Sequence, residues 1–485
     1  MKGYIAALFL LATVTSSSIF ANAVPTVDDV IQSIMNHHPR MSELQSKGKQ
    51  IDFERQKAVG AFDPIISQDT FAYGAGFYDG SSLSQQINKP LENLNAEVYG
   101  GYRLSDGLFP EYYSEFETLN NGEAFIGMKF SLLQNSDIDE RRMALQNAEI
   151  AIKQWRSEQQ YYLNALIRQG VNSYLDWYQA LNSYLLLNDL YITTKQRMSA
   201  IQTRVKNGDL AQIAITEFNT ILLNREAMLL QARNTLGILA EALTYFLRDE
   251  KGEPIDPNVL LEISGIKNNF NIYDQASLKW PSKNMPSDKQ SEKLVLAHPL
   301  LQALRMSQQQ AQNKLTLAEN QLRPQLDFSI KAAQDIGNGP SSLDGTEATI
   351  GINFSVPLEQ NTAKAERAIA KEKNRELSFA YTALSQEIER DLIIAKVKYD
   401  NLINIAKVQQ EQAAMTRELM RQETIRFEAG ASDLFLLNSR ETSAIQNNLK
   451  MVKADIDVLK SQLEYWYKIG QVNCLFALES DSCGL

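Results

Sequence analysis

Residues 318–334 read AENQLRPQLDFSIKAAQ. The first half reads as the end of a charged helix. After Pro324, Leu326, Phe328 and Ile330 alternate with Gln325, Asp327, Ser329 and Lys331. Alternate residues of a strand share a face, so the pattern changes from helical to strand period at the proline. Proline disfavours helix in the residue before it and donates no N–H, which suits it to that border. The same juncture occurs in AVGAFDPIISQDTFAYG (58–74), where Pro64 stands 260 positions before Pro324.

That offset recurs. HHPRM (37–41) and AHPLL (297–301) place Pro39 and Pro299 the same distance apart. AFIGMKFSLL (124–133) matches ATIGINFSVPL (348–358), aligning Gly127 with Gly351, Phe130 with Phe354 and Ser131 with Ser355. TRVKNGDL (203–210) matches IRFEAGAS (425–432), aligning Arg204 with Arg426 and Gly208 with Gly430. Four landmarks in one order indicate an internal duplication. Each copy reads helix, strand, loop, strand, very long helix, tight turn, long helix.

The long helices are marked by what they lack. No Gly or Pro occurs from Asn361 to Ala429, and Gly170 is the only breaker from Ser136 to Asn207. Leu384, Ile388, Leu392, Ala395, Tyr399, Leu402 and Ala406 step by three or four, the spacing of a buried stripe close to a heptad seam. At ~1.5 Å per residue each such helix is roughly 100 Å long, a coiled-coil element of a rod or tube.

The strand segments are short. Ile350, Ile352, Phe354 and Val356 alternate with Thr349, Gly351, Asn353 and Ser355; Ala124, Ile126, Met128, Phe130 and Leu132 share one face. The strand after Pro64 is less regular, with Phe71 and Tyr73 on the face of Ser67 and Asp69. Segments of about ten residues, apolar on one side, fit tilted strands crossing an outer membrane. A half-buried hairpin in a soluble domain has the same pattern. If the strands cross lipid, four cannot close a barrel, and several chains must share one. On this reading Leu326, Phe328 and Ile330 face lipid, and Asp327 and Lys331 face a water-filled lumen.

Composition narrows the class. The 485 residues are 22% charged and 44% hydrophobic, neither a disordered chain nor a helical membrane bundle. The net charge of -10 argues against nucleic-acid binding. Lys2, the apolar run Ile5–Val14 and Ala21-Asn22-Ala23 have the pattern of a signal peptide over 1–23. In an exported protein the two cysteines, Cys474 and Cys483, are expected to form a disulfide that pins the tail. His37, His38 and His298 are the only histidines; His37 and His38, just before Pro39, read as helix-terminal residues and not as ligands. No nucleophile with a base, metal-ligand spacing or phosphate loop is present, so the chain is read as no enzyme, with no cofactor.

The ordered set of duplicated unit, junction prolines (Pro64, Pro324), second strand ending in Pro357-Leu358 and R-x-x-x-G turns resembles the TolC family of outer-membrane efflux proteins, over nearly the whole mature chain. The resemblance implies an α+β membrane protein. Each chain of a homotrimer would supply four transmembrane strands to a shared 12-stranded barrel and long hairpins to a periplasmic tunnel. It implies a passive exit duct in a tripartite efflux or type I secretion system, joined to an inner-membrane transporter through a periplasmic adaptor protein. The competing reading is a periplasmic coiled-coil adaptor or scaffold without a pore. An adaptor has one helical hairpin with β-rich flanks, whereas two long hairpins are expected here.

The resemblance also assigns regions. Asn207, Gly208, Asp209 and Leu210, with Glu428, Ala429, Gly430, Ala431, Ser432 and Asp433, would form the periplasmic tip that meets the adaptor. The glycines are equally explained by turn geometry. AITE (214–217) resembles a tip-closing stretch, making Thr216 and Glu217 gating candidates. Ser432 stands where some relatives carry an Arg, so their latch does not transfer. Asp209 and Asp433 are candidates for an acidic constriction, or simply solvated turn acids. The expected division is 24–248 first repeat, 249–292 an equatorial segment, 293–470 second repeat and 471–485 tail. The loop Ala75–Glu123 is long, and a hairpin is expected around Val98–Leu104, at the outer mouth.

Overall fold

The computed structural model describes residues 24–111, 116–262, 280–281 and 285–476. The expected signal peptide and Cys483 lie outside the described residues.

The duplication is visible in the helices. A short helix α1 (Val27–His37) precedes α2 (Pro39–Gly60), whose counterpart in the second copy is α7 (Pro299–Asn320); each of the two has 22 residues. The longest pair is α3 (Glu140–Lys206) and α8 (Asn361–Glu428), of 67 and 68 residues. They are followed by α4 (Ile213–Thr244) and α9 (Leu434–Lys468). Between the copies stand α5 (Pro257–Glu262) and α6 (Asp288–Leu296), and α10 (Val472–Leu475) ends the described chain. No described helix is long and apolar enough to cross a membrane.

The paired His-Pro sites do the same physical work. A helix leaves its first N–H groups without partners, and a side-chain acceptor can satisfy one of them. His38 Nδ1 accepts from the N–H of Arg40 at the start of α2, and His298 Nδ1 accepts from that of Leu300 at the start of α7, both at 3.2 Å. Pro39 and Pro299 take the first helical position, where no N–H is needed.

Both junction prolines also act as expected. α2 ends at Gly60 and strand β1 (Ile65–Ala72) begins after Pro64; α7 ends at Asn320 and a second strand, Gln325–Asp335, begins after Pro324.

Four membrane strands and a hairpin in the long loop were expected; the described residues hold six strands, all in one sheet. These are β1, β2 (Ser81–Pro90), β3 (Ala96–Asp106), β4 (Glu123–Ser131), β5 (Gln325–Asp335) and β6 (Thr346–Ser355), in that spatial order and all antiparallel. The expected hairpin around Val98–Leu104 exists, but those residues form only its second arm. Its first arm, SSLSQQINKP, has two large aliphatic residues and no apolar alternation, so its strand state comes from the ladders on both sides.

The chain divides into two compact units. One comprises Met1–Ser42, Tyr162–Val295 and Ile388–Leu485; the other comprises Glu43–Tyr161 and Leu296–Glu387 and contains the whole sheet. The core of the first unit is aromatic: Tyr174, Trp177, Tyr465 and Trp466 are fully buried. A second cluster joins Leu186, Ala413, Met451 and Val452. The stripe expected on α8 is inward: Ile388, Leu392, Ala395 and Ala406 are buried and Leu384, Tyr399 and Leu402 half-buried. Gly170 lies in α3 where an added Cβ would overlap Ile34 and crowd Phe246, so the glycine permits close packing there.

Candidate functional site

Register sorts the six strands into two faces. One rung of mutually opposite residues runs Ile66, Ile87, Gly100, Ile126, Ala332 and Ala348, apolar from edge to edge. On the same face Val98, Met128, Ile330 and Ile350 stand opposite one another, as do Phe130, Phe328 and Ile352. The Phe130 and Phe328 rings lie 5.1 Å apart. Ile350, Ile352 and Phe354 are 68%, 70% and 61% exposed, and Ile66 and Ile126 are exposed too, so the described residues leave this face open.

The other face carries charge. Glu123 accepts from Lys331 Nζ at 3.1 Å and pairs with Arg103. Asp327 accepts from Lys129 at 3.2 Å and from Ser131 and Gln325, each at 2.7 Å. Both carboxylates are buried yet saturated with donors, the condition under which burying charge is tolerable. At the end of the face nearest the junction prolines, a cavity of about 380 Å³ opens among Lys129, Asp327, Glu97, Arg141 and Arg142.

The opposite end of the polar face is overlaid by the β3–β4 connection. Phe116 packs on Phe71 at 5.0 Å and under the Arg103 guanidinium at 5.9 Å. Thr118 accepts from the Ser105 amide at 3.2 Å, and Leu119 donates its N–H to Asp335 at 3.0 Å. Asn120 and Asn121 bind the β5–β6 loop at Asn338 and Ile336. Phe71, Arg103, Ser105 and Asp335 all belong to the polar face, so the segment crosses it from β1 to β5.

The two helix-to-helix turns are built alike. The Asp209 N–H reaches the Arg204 carbonyl at 2.9 Å, and the Ala431 N–H reaches that of Arg426 at 2.8 Å. Gly208 and Gly430 hold φ of +83° and +75°, the left-handed residue such a helix end requires. Arg204 lies over the Phe427 ring at 5.6 Å, joining the turns. Asp433 caps α9 by accepting from the Leu436 N–H at 2.7 Å. Ser432 donates to Glu423, which also lies 3.7 Å from Arg426. Asn207, Asp209, Glu428, Ala429 and Ala431 are exposed and Leu210 half-buried. Thr216 and Glu217 are exposed early in α4 and apart from this cluster. Cys474 is buried and is not a free thiol.

One group was not anticipated. Glu441 of α9 accepts from Arg225 of α4 at 2.7 Å and Arg197 of α3 at 2.8 Å, and Arg225 also bonds Thr194 and Asn438. No sequence signal links three residues so far apart.

Solved structures share this fold. The chain is similar to CusC (10% identity, 92% of each chain covered, TM-score 0.64). It is similar to VceC of Vibrio cholerae (12% identity, 92% of this chain and 96% of that, TM-score 0.61). A third is CmeC of Campylobacter jejuni, an outer membrane channel (11% identity, 94% and 89%, TM-score 0.62). At such identities the likeness is one of fold. Neither a protein-family model nor a curated protein matches the sequence.

Proposed function

We propose that the chain is a passive outer-membrane channel, several copies of which share one barrel and one periplasmic helical tunnel. In this reading it is the exit duct of a tripartite efflux or type I secretion system. The copies number three, and the partners are a periplasmic adaptor and an inner-membrane transporter that supplies the energy. The likeness to channel structures also speaks against an enzyme.

The observation that carries the reading is the sheet itself: one face apolar and exposed, the other charged, and the outer edges of β1 and β6 without a partner strand among the described residues. In water the exposed Ile350, Ile352 and Phe354 would be an aggregation hazard; in lipid they are solvated. An open edge in lipid leaves backbone groups without partners, so the edges must be closed by other copies. The helices agree. Ile394, Val397, Ile405, Val408 and Met415 expose a second apolar stripe on α8, and Leu223, Leu230 and Ile238 do so on α4. The pore-free adaptor or scaffold reading explains neither feature.

The turns at 207–210 and 428–433 are proposed as the tip that meets the adaptor, with Thr216 and Glu217 as residues between copies that narrow it. Residues 249–292 and the tail are proposed to wrap the helices at their equator. Trp280 bonding Gln462 at 2.7 Å and packing on Phe476 supports that placement. A Cys474–Cys483 bridge would pin the tail.

The test is fractionation and reconstitution of the full chain. A heat-sensitive oligomer in the outer membrane, giving discrete conductance steps in planar bilayers, is expected. A soluble monomer without conductance overturns the proposal.

A further inference from the structure

We infer that each copy contributes six strands to the shared wall, so that a barrel closed by three copies has eighteen. This rests on the channel reading and changes its pore.

Three observations place β2 and β3 in the wall. They are integral to the ladder, β2 pairing along its whole length with β3 and from Ser81 to Asn88 with β1, and β3 with β4 from Ala96 to Arg103. Their 10 and 11 residues fall within the 8 to 11 of the other four, and about 9–11 are needed to cross the hydrocarbon core. Their faces are in phase with the rest. Ile87 and Gly100 complete the apolar rung from Ile66 to Ala348, while Gln86, Asn88, Tyr99 and Arg103 fall on the charged side. Among polar groups on the apolar side, Gln85 donates to Gln68 opposite it at 2.9 Å, and Lys89 donates to the Phe62 carbonyl at 2.6 Å. A hairpin projecting beyond the membrane would have no reason to keep this phase.

The free edges commit to a second copy. β1 and β6 are the most exposed strands of the sheet, and an even number of antiparallel strands brings β6 beside the next copy's β1 in antiparallel sense. The ring therefore closes without a parallel mismatch. Barrel diameter grows roughly in proportion to strand number, and barrels of 16–18 strands enclose a water-filled channel. The segment overlaying the polar face then has a use: it occupies lumen that the wider wall opens.

The test is site-directed spin labelling of the full-length protein in phosphatidylcholine–phosphatidylglycerol vesicles. Single variants Ile87→Cys, Asn88→Cys and Ile126→Cys are compared for collision with oxygen and with a water-soluble nickel chelate. All three positions lie in the sheet, and retained heat-sensitive migration shows that each variant assembles. The inference expects Ile87→Cys to match Ile126→Cys, oxygen-rich and nickel-poor, with Asn88→Cys reversed. Water-like readings at both 87 and 88, with a lipid reading at 126, overturn the six-strand wall and leave the channel reading standing. A water-like reading at 126 as well overturns both.

Discussion

Arg225 and Glu441 form an ion pair of 2.7 Å whose side chains are 5% and 6% exposed. Glu441 also holds Arg197, so one carboxylate is shared by a buried and a half-buried guanidinium and ties α9 to α3 and α4. Removing the shared anion leaves both cations uncompensated, which typically costs about 3–5 kcal/mol. Glu441→Gln is therefore expected to lower the denaturant midpoint strongly. Lys453→Gln breaks an exposed pair with Asp457 on the same helix and should change stability by less than about 1 kcal/mol. Equal effects would remove the distinction drawn between buried and surface pairs.

Gly208 and Gly430 predict a cost of backbone strain alone. Nothing lies within 4 Å of a Cβ built at either position. Alanine there meets no clash but must adopt a left-handed conformation, at about 1–2 kcal/mol. Gly430→Ala should destabilise by that amount and Gly430→Asn by less, measured by thermal unfolding in detergent. A neutral alanine would mean the turn relaxes to another form.

His38 predicts a pH dependence. Burial, with Arg248 and Arg40 nearby, lowers its pKa from 6.5 to about 4. The fold thus prefers the neutral ring, whose Nδ1 must stay unprotonated to accept from Arg40. Between pH 6.5 and 4 the unfolded chain binds the proton and the folded chain does not. The stabilisation is complete above pH 6.5 and is lost as pH falls, by up to about 3 kcal/mol. His38→Asn keeps a capping acceptor without a titrating ring, so its melting temperature should fall less between pH 7.5 and 4.5. Parallel curves would assign the acid sensitivity to other groups.

These cases show which features the sequence discloses. The glycine turns, the junction prolines and the duplicated His-Pro caps are local, and each demands one residue type at one place. The α8 stripe is legible because it repeats over many turns. β2 is not, because Ser and Gln residues carry no strand signal, and its pairing with β1 and β3 is a tertiary effect. Glu441 is not, because a buried carboxylate is identified only by the arginines that the fold brings to it.

The two faces of β6 predict opposite tolerances. Ile352 stands opposite Phe328 on the apolar face and Asn353 opposite Asp327 on the charged one. An arginine facing lipid costs about 2–4 kcal/mol near the midplane, whereas the lumen solvates it. Ile352→Arg should reduce the heat-sensitive oligomer, and Asn353→Arg should preserve it while shifting ion selectivity. Equal damage from both would contradict the assignment of faces.

The last prediction concerns the segment crossing the polar face. Its anchors are Phe71, Arg103, Ser105 and Asp335, spread over three strands, so in a closed barrel it would project into the lumen near the outer mouth. The anchors are modest individually: an aromatic pair contributes about 0.5–1.5 kcal/mol beyond its buried area, and a neutral hydrogen bond about 1 kcal/mol. The wall itself rests on five ladders that do not involve this segment. Replacing residues 108–118 with a short Gly-Ser link should therefore leave assembly intact while raising single-channel conductance and the rate of solute-driven vesicle swelling. Phe71→Ala, which removes one ring of the anchor, should give a smaller increase. Unchanged conductance in an assembled deletion variant would place the segment outside the conduction path.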